Sequence, residues 1–248
     1  VTQEASDVFV ALDISQSMLC QDVAPSRLEL AKAFAQKLVQ TLEGERIGLI
    51  FFAGNAFLQM PLSSDYSFII QSIQSATPDL ITEQGTALPA AIDLAQQSFG
   101  YEPGGGRAIV LITDGEDHDE GAVDKADKAY DDGIVIYAVG AGTLGGGPIP
   151  AGSLDDAQYK RDEKGEIVRT RLNENLLRQL ALAGGGQVFN ISQSDAAISA
   201  LRREVDSLQK RELEVRSFAE FESWYQWFLL PALLIFLLET LISFRKRN

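Results

Sequence analysis

The chain has 248 residues, 46% of them apolar, which is enough for one full-sized domain with a substantial core and an appendage. Its 35 Asp and Glu against 21 Lys and Arg give a formal net charge of −14, a field that repels phosphate backbones and argues against nucleic-acid binding. Cys20 and His118 are the sole cysteine and histidine, which excludes an intrachain disulfide, a thiolate zinc site and any multi-histidine cluster.

The opening "VTQEASD" has neither a basic start nor an apolar stretch, so residues 1–5 read as a tail and a targeting or membrane segment is expected upstream of Val1. "VFVALD" (Val8 to Asp13) is apolar until its last residue and reads as a buried strand. "RLELAKAFAQKLVQTL" (Arg27 to Leu42) follows as an amphipathic helix, with Leu30, Phe34, Leu38 and Leu42 at helical spacing. "IGLIFFAG" (Ile47 to Gly54) and "AFLQMPL" (Ala56 to Leu62) are close enough for a hairpin, and Pro61 assigns the second strand to a sheet edge. Helices are expected over Tyr66 to Ala76 and Ala87 to Phe99.

The second half alternates in the same way: strand "RAIVLITD" (Arg107 to Asp114), a helix over about Gly121 to Asp132, strand "GIVIYAVG" (Gly133 to Gly140), a helix near Glu174 to Ala183, and strand "GQVFNI" (Gly186 to Ile191). Strands that are apolar throughout are buried on both faces, as in a mostly parallel sheet covered by helices. The fold class is therefore α/β, a doubly wound domain over residues 6–209. Between Ala141 and Arg171 lies a long irregular stretch, rich in Gly and Pro at first and then a small hairpin turning at Lys164 and Gly165. It is either a functional loop or a tolerated insertion.

"SDAAISALRREVDSLQ" reads as a helix capped by Ser194 or Asp195, followed by a linker over residues 210–223 that lies on a membrane, packs on the domain or acts as a tether. Trp224 to Phe244, "WYQWFLLPALLIFLLETLISF", is long enough to cross a hydrocarbon core that needs about 20 helical residues. Trp224, Tyr225 and Trp227 suit one interface, and the basic tail 245–248 suits a cytoplasmic one, which puts the domain on the outer side. Lys210, Arg211 and Arg216 reduce that charge asymmetry. Glu239, near the basic end, reaches the interface by extending along the helix.

Three separated pieces carry the chemistry. Ligands of open parallel sheets bind beyond the carboxyl ends of the strands, where strand order reverses. If the strands ending at Asp13 and Asp114 are neighbours there, the two carboxylates converge. Alternate residues of an extended loop point the same way, so Ser15 and Ser17 face the same centre as Asp13. Thr86, after Gly85 at a helix start, adds a third hydroxyl, although a threonine there is ordinarily an N-cap. Two carboxylates and three hydroxyls without soft donors suit Mg²⁺, with Mn²⁺ or Ca²⁺ as alternatives.

"DISQS" (Asp13 to Ser17), "GT" (Gly85 and Thr86) and "ITDGE" (Ile112 to Glu116) resemble the metal-ion-dependent adhesion site of von Willebrand factor type A domains. "RLELAKAF", "ERIGLIFFAGNAFLQMPLSSDY", "QGTAL", "TDGEDHD", "PIPAG" and the span "WFLLPALLIFLLE" are similar to the bacterial Bat (aerotolerance) membrane proteins. Gln16 departs from the small glycine often found between the two serines. The resemblance implies that Ser15, Ser17 and Thr86 bind the cation directly or through water, with Asp13 and Asp114 doing so according to state. It implies a non-enzymatic, metal-dependent protein-binding module in which a partner's Asp or Glu fills the open coordination position. It further implies a place in the bacterial inner membrane with the domain on the periplasmic or outer side, partners among type A domain membrane proteins, and association with a MoxR-type AAA+ ATPase. A cytoplasmic ATPase would reach only the tail "RKRN".

Two other readings stand beside it. A haloacid-dehalogenase-like aspartyl phosphotransferase also sets an Asp at the end of a first parallel strand beside Mg²⁺, but its motif has a second Asp two residues on, where this chain has Ser15. The other is a membrane-tethered structural domain with a vestigial site. His118, Asp117 and Asp119 read as solvent residues and a helix cap, and the glycine runs at Gly104 and Gly145 as turns.

Overall fold

The computed structural model describes residues 5–83, 85–100, 106–116, 121–151 and 159–219, with side chains described to Leu208. The chain divides into two compact units, Val1–Arg211 and Glu212–Asn248. The predicted span at 224–244, the basic tail, His118 with its acidic neighbours, and Gly104 and Gly105 lie outside the described residues. Among the described residues no helix is long and apolar enough to cross a membrane.

The first unit is built on a six-stranded sheet: β1 (Asp7–Asp13), β2 (Arg46–Phe52), β3 (Ala56–Ser63), β4 (Arg107–Thr113), β5 (Ile134–Gly140) and β8 (Gly185–Asn190), in the order β3-β2-β1-β4-β5-β8. All pairs are parallel except β2 with β3, the expected hairpin, whose second strand occupies an edge and so tolerates Pro61. The other strands β6 (Gly147–Pro148) and β7 (Arg169–Thr170) form a separate antiparallel pair.

Alternation along β1 shows why the central strands are apolar on both faces. Val8, Val10 and Leu12 enter one core with helices α1 (Arg27–Thr41), α2 (Tyr66–Gln74) and α6 (Ser194–Ala219). Phe9 and Ala11 enter the other with α3 (Leu88–Ser98), α4 (Ala122–Asp131) and α5 (Glu174–Ala183). Gly48, the register partner of Phe9, leaves room for its ring, since a Cβ there would lie 2.1 Å from Phe9 Cε1. That ring meets Phe99 edge to face at 4.9 Å.

Local signals set the helix ends. Ser26 caps α1 by accepting the Glu29 N–H at 3.2 Å. The buried stripe of α1 runs through Ala31, Phe34, Ala35 and Leu38, with Leu30 only partly buried at its border. Ser194 is the first residue of α6 rather than its cap, because a 3-10 turn (Ile191–Gln193) feeds directly into the helix. Lys37 pairs with Asp195 in the first turn. The backbone of α6 also runs past Gln209 to Ala219, so the first part of the expected linker is helical.

Candidate metal centre

Because β1 and β4 are parallel neighbours, with Leu12 opposite Ile112, Asp13 and Asp114 leave the sheet side by side where strand order reverses. Both are fully buried. Asp13 Oδ1 accepts the Ser15 N–H at 2.9 Å, and Oδ2 accepts the Thr113 hydroxyl at 2.6 Å. Burial and then the charge of Asp114 push the Asp13 carboxyl up to about 7, against those hydrogen bonds. Burial also raises Asp114, opposed by the Glu116 N–H at 3.1 Å, a bond from Ser17 and the charge of Arg27.

A 3-10 turn (Gln16–Leu19) folds the first loop so that Ser15 Oγ and Ser17 Oγ stand 2.9 Å apart. Cis oxygens of an octahedral Mg²⁺ shell, with bonds of 2.0–2.1 Å, are also separated by about 2.9 Å. The donor set therefore fits a small hard cation. Thr86 is 6% exposed and lines the same cavity of about 870 Å³ as Ser15 and Ser17, while the two carboxylates lie behind that wall. The Ala87 N–H donates to Ala53 O at 2.6 Å and ties the Thr86 loop to the end of β2. The N-cap of α3 is Ala87, not Thr86, so the capping explanation of Thr86 fails and its hydroxyl stays available to the cavity.

Ser15, Ser17 and Thr86 thus line one cavity, and Asp13 and Asp114 are hydrogen-bonded to the loop that carries the two serines. Among the described residues no group of three or more His, Cys, Asp and Glu is placed to hold a metal ion.

The sequence reading missed the group that balances these carboxylates. Arg27 is completely buried at the start of α1, and its Nη1 donates to Asp114 Oδ2 at 2.8 Å and to Thr170 Oγ1 at 2.8 Å. Its Nε and Nη2 grip both oxygens of Asp22 at 2.8 and 2.9 Å. Burial disfavours the charge on Arg27, but Asp22 and Asp114 outweigh it and raise its pKa further. Burial likewise opposes ionisation of Asp22, yet Arg27 and the bonds from Thr143 bring its carboxyl down to about 2. A usable signal existed: a cation in the first turn of a helix runs against the helix dipole and needs anions nearby.

The irregular excursion after β5 is fastened to this network. Asp22 Oδ2 accepts both the N–H and the hydroxyl of Thr143 at 2.8 Å, and Arg27 holds Thr170 at its other end. The expected hairpin is present, with Arg161 bridged to Ile167 and a turn closed by the Gly165 N–H on Asp162 O at 3.0 Å. Lys160 Nζ donates to Gln16 Oε1 at 2.8 Å, so the residue that departs from the usual glycine clamps the hairpin to the loop after β1.

This sheet order and strand-end site define a type A domain of the von Willebrand factor kind, and residues 8–116 match the family model for the von Willebrand factor type A domain. Such domains are protein-interaction modules and generally not enzymes. An aerotolerance-related membrane protein from Bacteroides fragilis superposes with a TM-score of 0.79 at 44% identity, covering 82% of this chain and 100% of that one. A conserved hypothetical protein, BatB, from Bacteroides thetaiotaomicron gives a TM-score of 0.78 at 44% identity, covering 83% and 100%. The chain belongs to the bacterial Bat aerotolerance-related family of von Willebrand factor type A domain proteins. A UPF0353 protein of Mycolicibacterium paratuberculosis is 27% identical over 217 residues, 80% of this chain and 60% of that protein. The chain thus spans about 60% of the length of its curated relatives.

Proposed function

We propose that this domain is a membrane-anchored, metal-ion-dependent adhesion module of the cell envelope. The observation that carries this reading is the Ser15–Ser17 oxygen edge of 2.9 Å, facing a cavity with Thr86 while two buried carboxylates stand behind it. Ser15, Ser17 and Thr86 would hold the cation from the cavity side, with Asp13 and Asp114 directly or through water. When bound, Mg²⁺ or Mn²⁺ supplies an open coordination position that accepts a carboxylate. Arg27 already offsets one negative charge, so the chain's own groups leave the cation undersatisfied and favour an Asp or Glu from a partner protein.

The predicted span 224–244 would anchor the domain to the inner membrane, with the domain on the periplasmic or outer side. The names of relatives as membrane proteins support this assignment. Other type A domain membrane proteins are the proposed partners, with a MoxR-type AAA+ ATPase reached through the cytoplasmic tail.

The test is crosslinking and pull-down from envelope membranes with the intact chain and Asp13→Ala, in Mg²⁺ and in EDTA. A partner recovered only by the intact chain in Mg²⁺ is expected, and equal recovery in all four arms would reject metal-bridged binding. Turnover of a generic phosphomonoester that is abolished by Asp13→Asn would favour phosphotransfer instead.

A further inference from the structure

The cavity over the candidate centre is built from two sides. Ser15, Ser17 and Thr86 line one, and the excursion after β5 lines the other with Lys160, Arg169 and Arg171, interleaved with Leu144, Ile149 and Val168. Three cations on one wall contrast with the chain's net charge of −14.

Two acidic residues, Glu116 and Glu174, also line the cavity, and both are hydrogen-bonded within the domain. Glu116 accepts the Arg171 N–H at 2.9 Å, and Glu174 pairs with Arg178 at 2.6 Å. The Arg169 and Arg171 side chains are exposed and make no ion pair or hydrogen bond among the described residues. The wall they stand on is nonetheless fixed. Asp22 fastens Thr143, Arg27 fastens Thr170, and Gln16 fastens Lys160. A backbone fixed before binding loses little freedom on binding, which favours affinity and selectivity.

We propose that this wall is the specificity surface for an acidic protein segment. One carboxylate of the segment completes the cation held by Ser15, Ser17 and Thr86, and neighbouring Asp or Glu side chains pair with Arg169 and Arg171. Apolar side chains of the same segment rest on Leu144, Ile149 and Val168. The inference builds on the metal-bridged reading and adds to it what kind of partner is chosen. A single carboxylate would satisfy the metal in any type A domain, whereas the cationic wall selects clustered carboxylates. Guanidinium groups suit this role because they form paired hydrogen bonds with carboxylates.

The experiment uses the 248-residue chain in a non-ionic detergent and two labelled glycine-serine peptides, one carrying a single glutamate and one carrying a glutamate cluster. Fluorescence anisotropy is read in Mg²⁺ and in EDTA for the parent, for Arg169→Gln/Arg171→Gln and for Arg169→Lys/Arg171→Lys. In Mg²⁺ the parent should bind the clustered peptide about tenfold more tightly than the single-glutamate peptide, the sum of two partly exposed charge pairs. The glutamine variant should lose that preference and the lysine variant should recover part of it, both melting within about 2 °C of the parent.

The outcomes separate the two ideas. A preference that survives the glutamine substitutions overturns the wall, even if binding needs Mg²⁺. A preference that needs the arginines but persists undiminished in EDTA supports the wall and rejects the metal bridge. No binding of the clustered peptide at millimolar concentration overturns the proposal. So does a variant defect confined to vesicles of anionic phospholipid, which would make the wall a lipid-binding surface.

Discussion

Arg27 Nη1 donates to Asp114 Oδ2 at 2.8 Å with both side chains shut off from solvent. The same guanidinium grips Asp22 and Thr170, so one buried cation joins the end of β4, the loop before α1 and the excursion that walls the cavity. A buried charge of this kind gives connection more than net stability, because its desolvation offsets much of its attraction. Removing one partner is another matter, since it strands the others.

Arg27→Met should therefore lower domain stability by about 3–5 kcal/mol, the range for breaking a buried ion pair. For a domain of this size that is a fall of about 10 °C in melting temperature, read by circular dichroism. The double variant Arg27→Met/Asp114→Asn should cost less than the sum of the two single changes, because Arg27→Met strands the buried Asp114 charge that Asp114→Asn removes. Additive losses would show that the pair is not coupled.

Gly142 offers a second route to the same network. Its φ of +123° is a left-handed conformation, and a Cβ there would lie 2.5 Å from Arg27 Nε. Gly142→Ala should reproduce much of the Arg27→Met loss without touching a charge, whereas Gly165→Ala, at an open turn with φ +80°, should show only the backbone penalty of about 1 kcal/mol. Comparable melting temperatures for the two variants would remove the steric argument.

Thr86 separates capping from ligation. An N-cap substitution costs about 1 kcal/mol, but the cap of α3 is Ala87. Thr86→Ala should leave the metal-free melting temperature within about 2 °C of the parent and weaken Mg²⁺ or Mn²⁺ binding by calorimetry. A clear loss of metal-free stability with unchanged metal affinity would restore the capping role.

Asp13 and Asp22 set opposite pH dependences. Asp13 is raised from 3.8 to about 7, so the folded state binds more protons than the unfolded state between those values, and this group's effect on stability worsens as pH rises through that window. Asp22 is lowered from 3.8 to about 2, so its contribution is present above 3.8 and disappears as pH falls toward 2. In EDTA the melting temperature should fall from about pH 5 to about pH 8, and Asp13→Asn should flatten that slope. Mg²⁺ should protect increasingly over the same range as it displaces the Asp13 proton, and a flat profile for the parent in EDTA would remove Asp13 from the explanation.

The sequence by itself determined the strands, their two-sided burial and the positions of Asp13 and Asp114 at their ends, because apolar runs and turn chemistry are local properties. It also supplied Ser15 and Ser17, at alternate positions beyond a strand end, and Thr86, after Gly85 at a helix start. Arg27 was legible only as the start of an amphipathic helix, and Gln16 only as a departure from glycine. Their partners lie 87 and 144 residues away. Only the tertiary structure decided those pairings, because side chains meet across such distances through sheet order and loop path. Neither is encoded in the residues beside them, and both are set by how the whole apolar core closes. The fate of the described parts of the excursion, 141–151 and 159–171, followed from the same closure: tied down by Asp22, Arg27 and Gln16, they became a wall of the cavity.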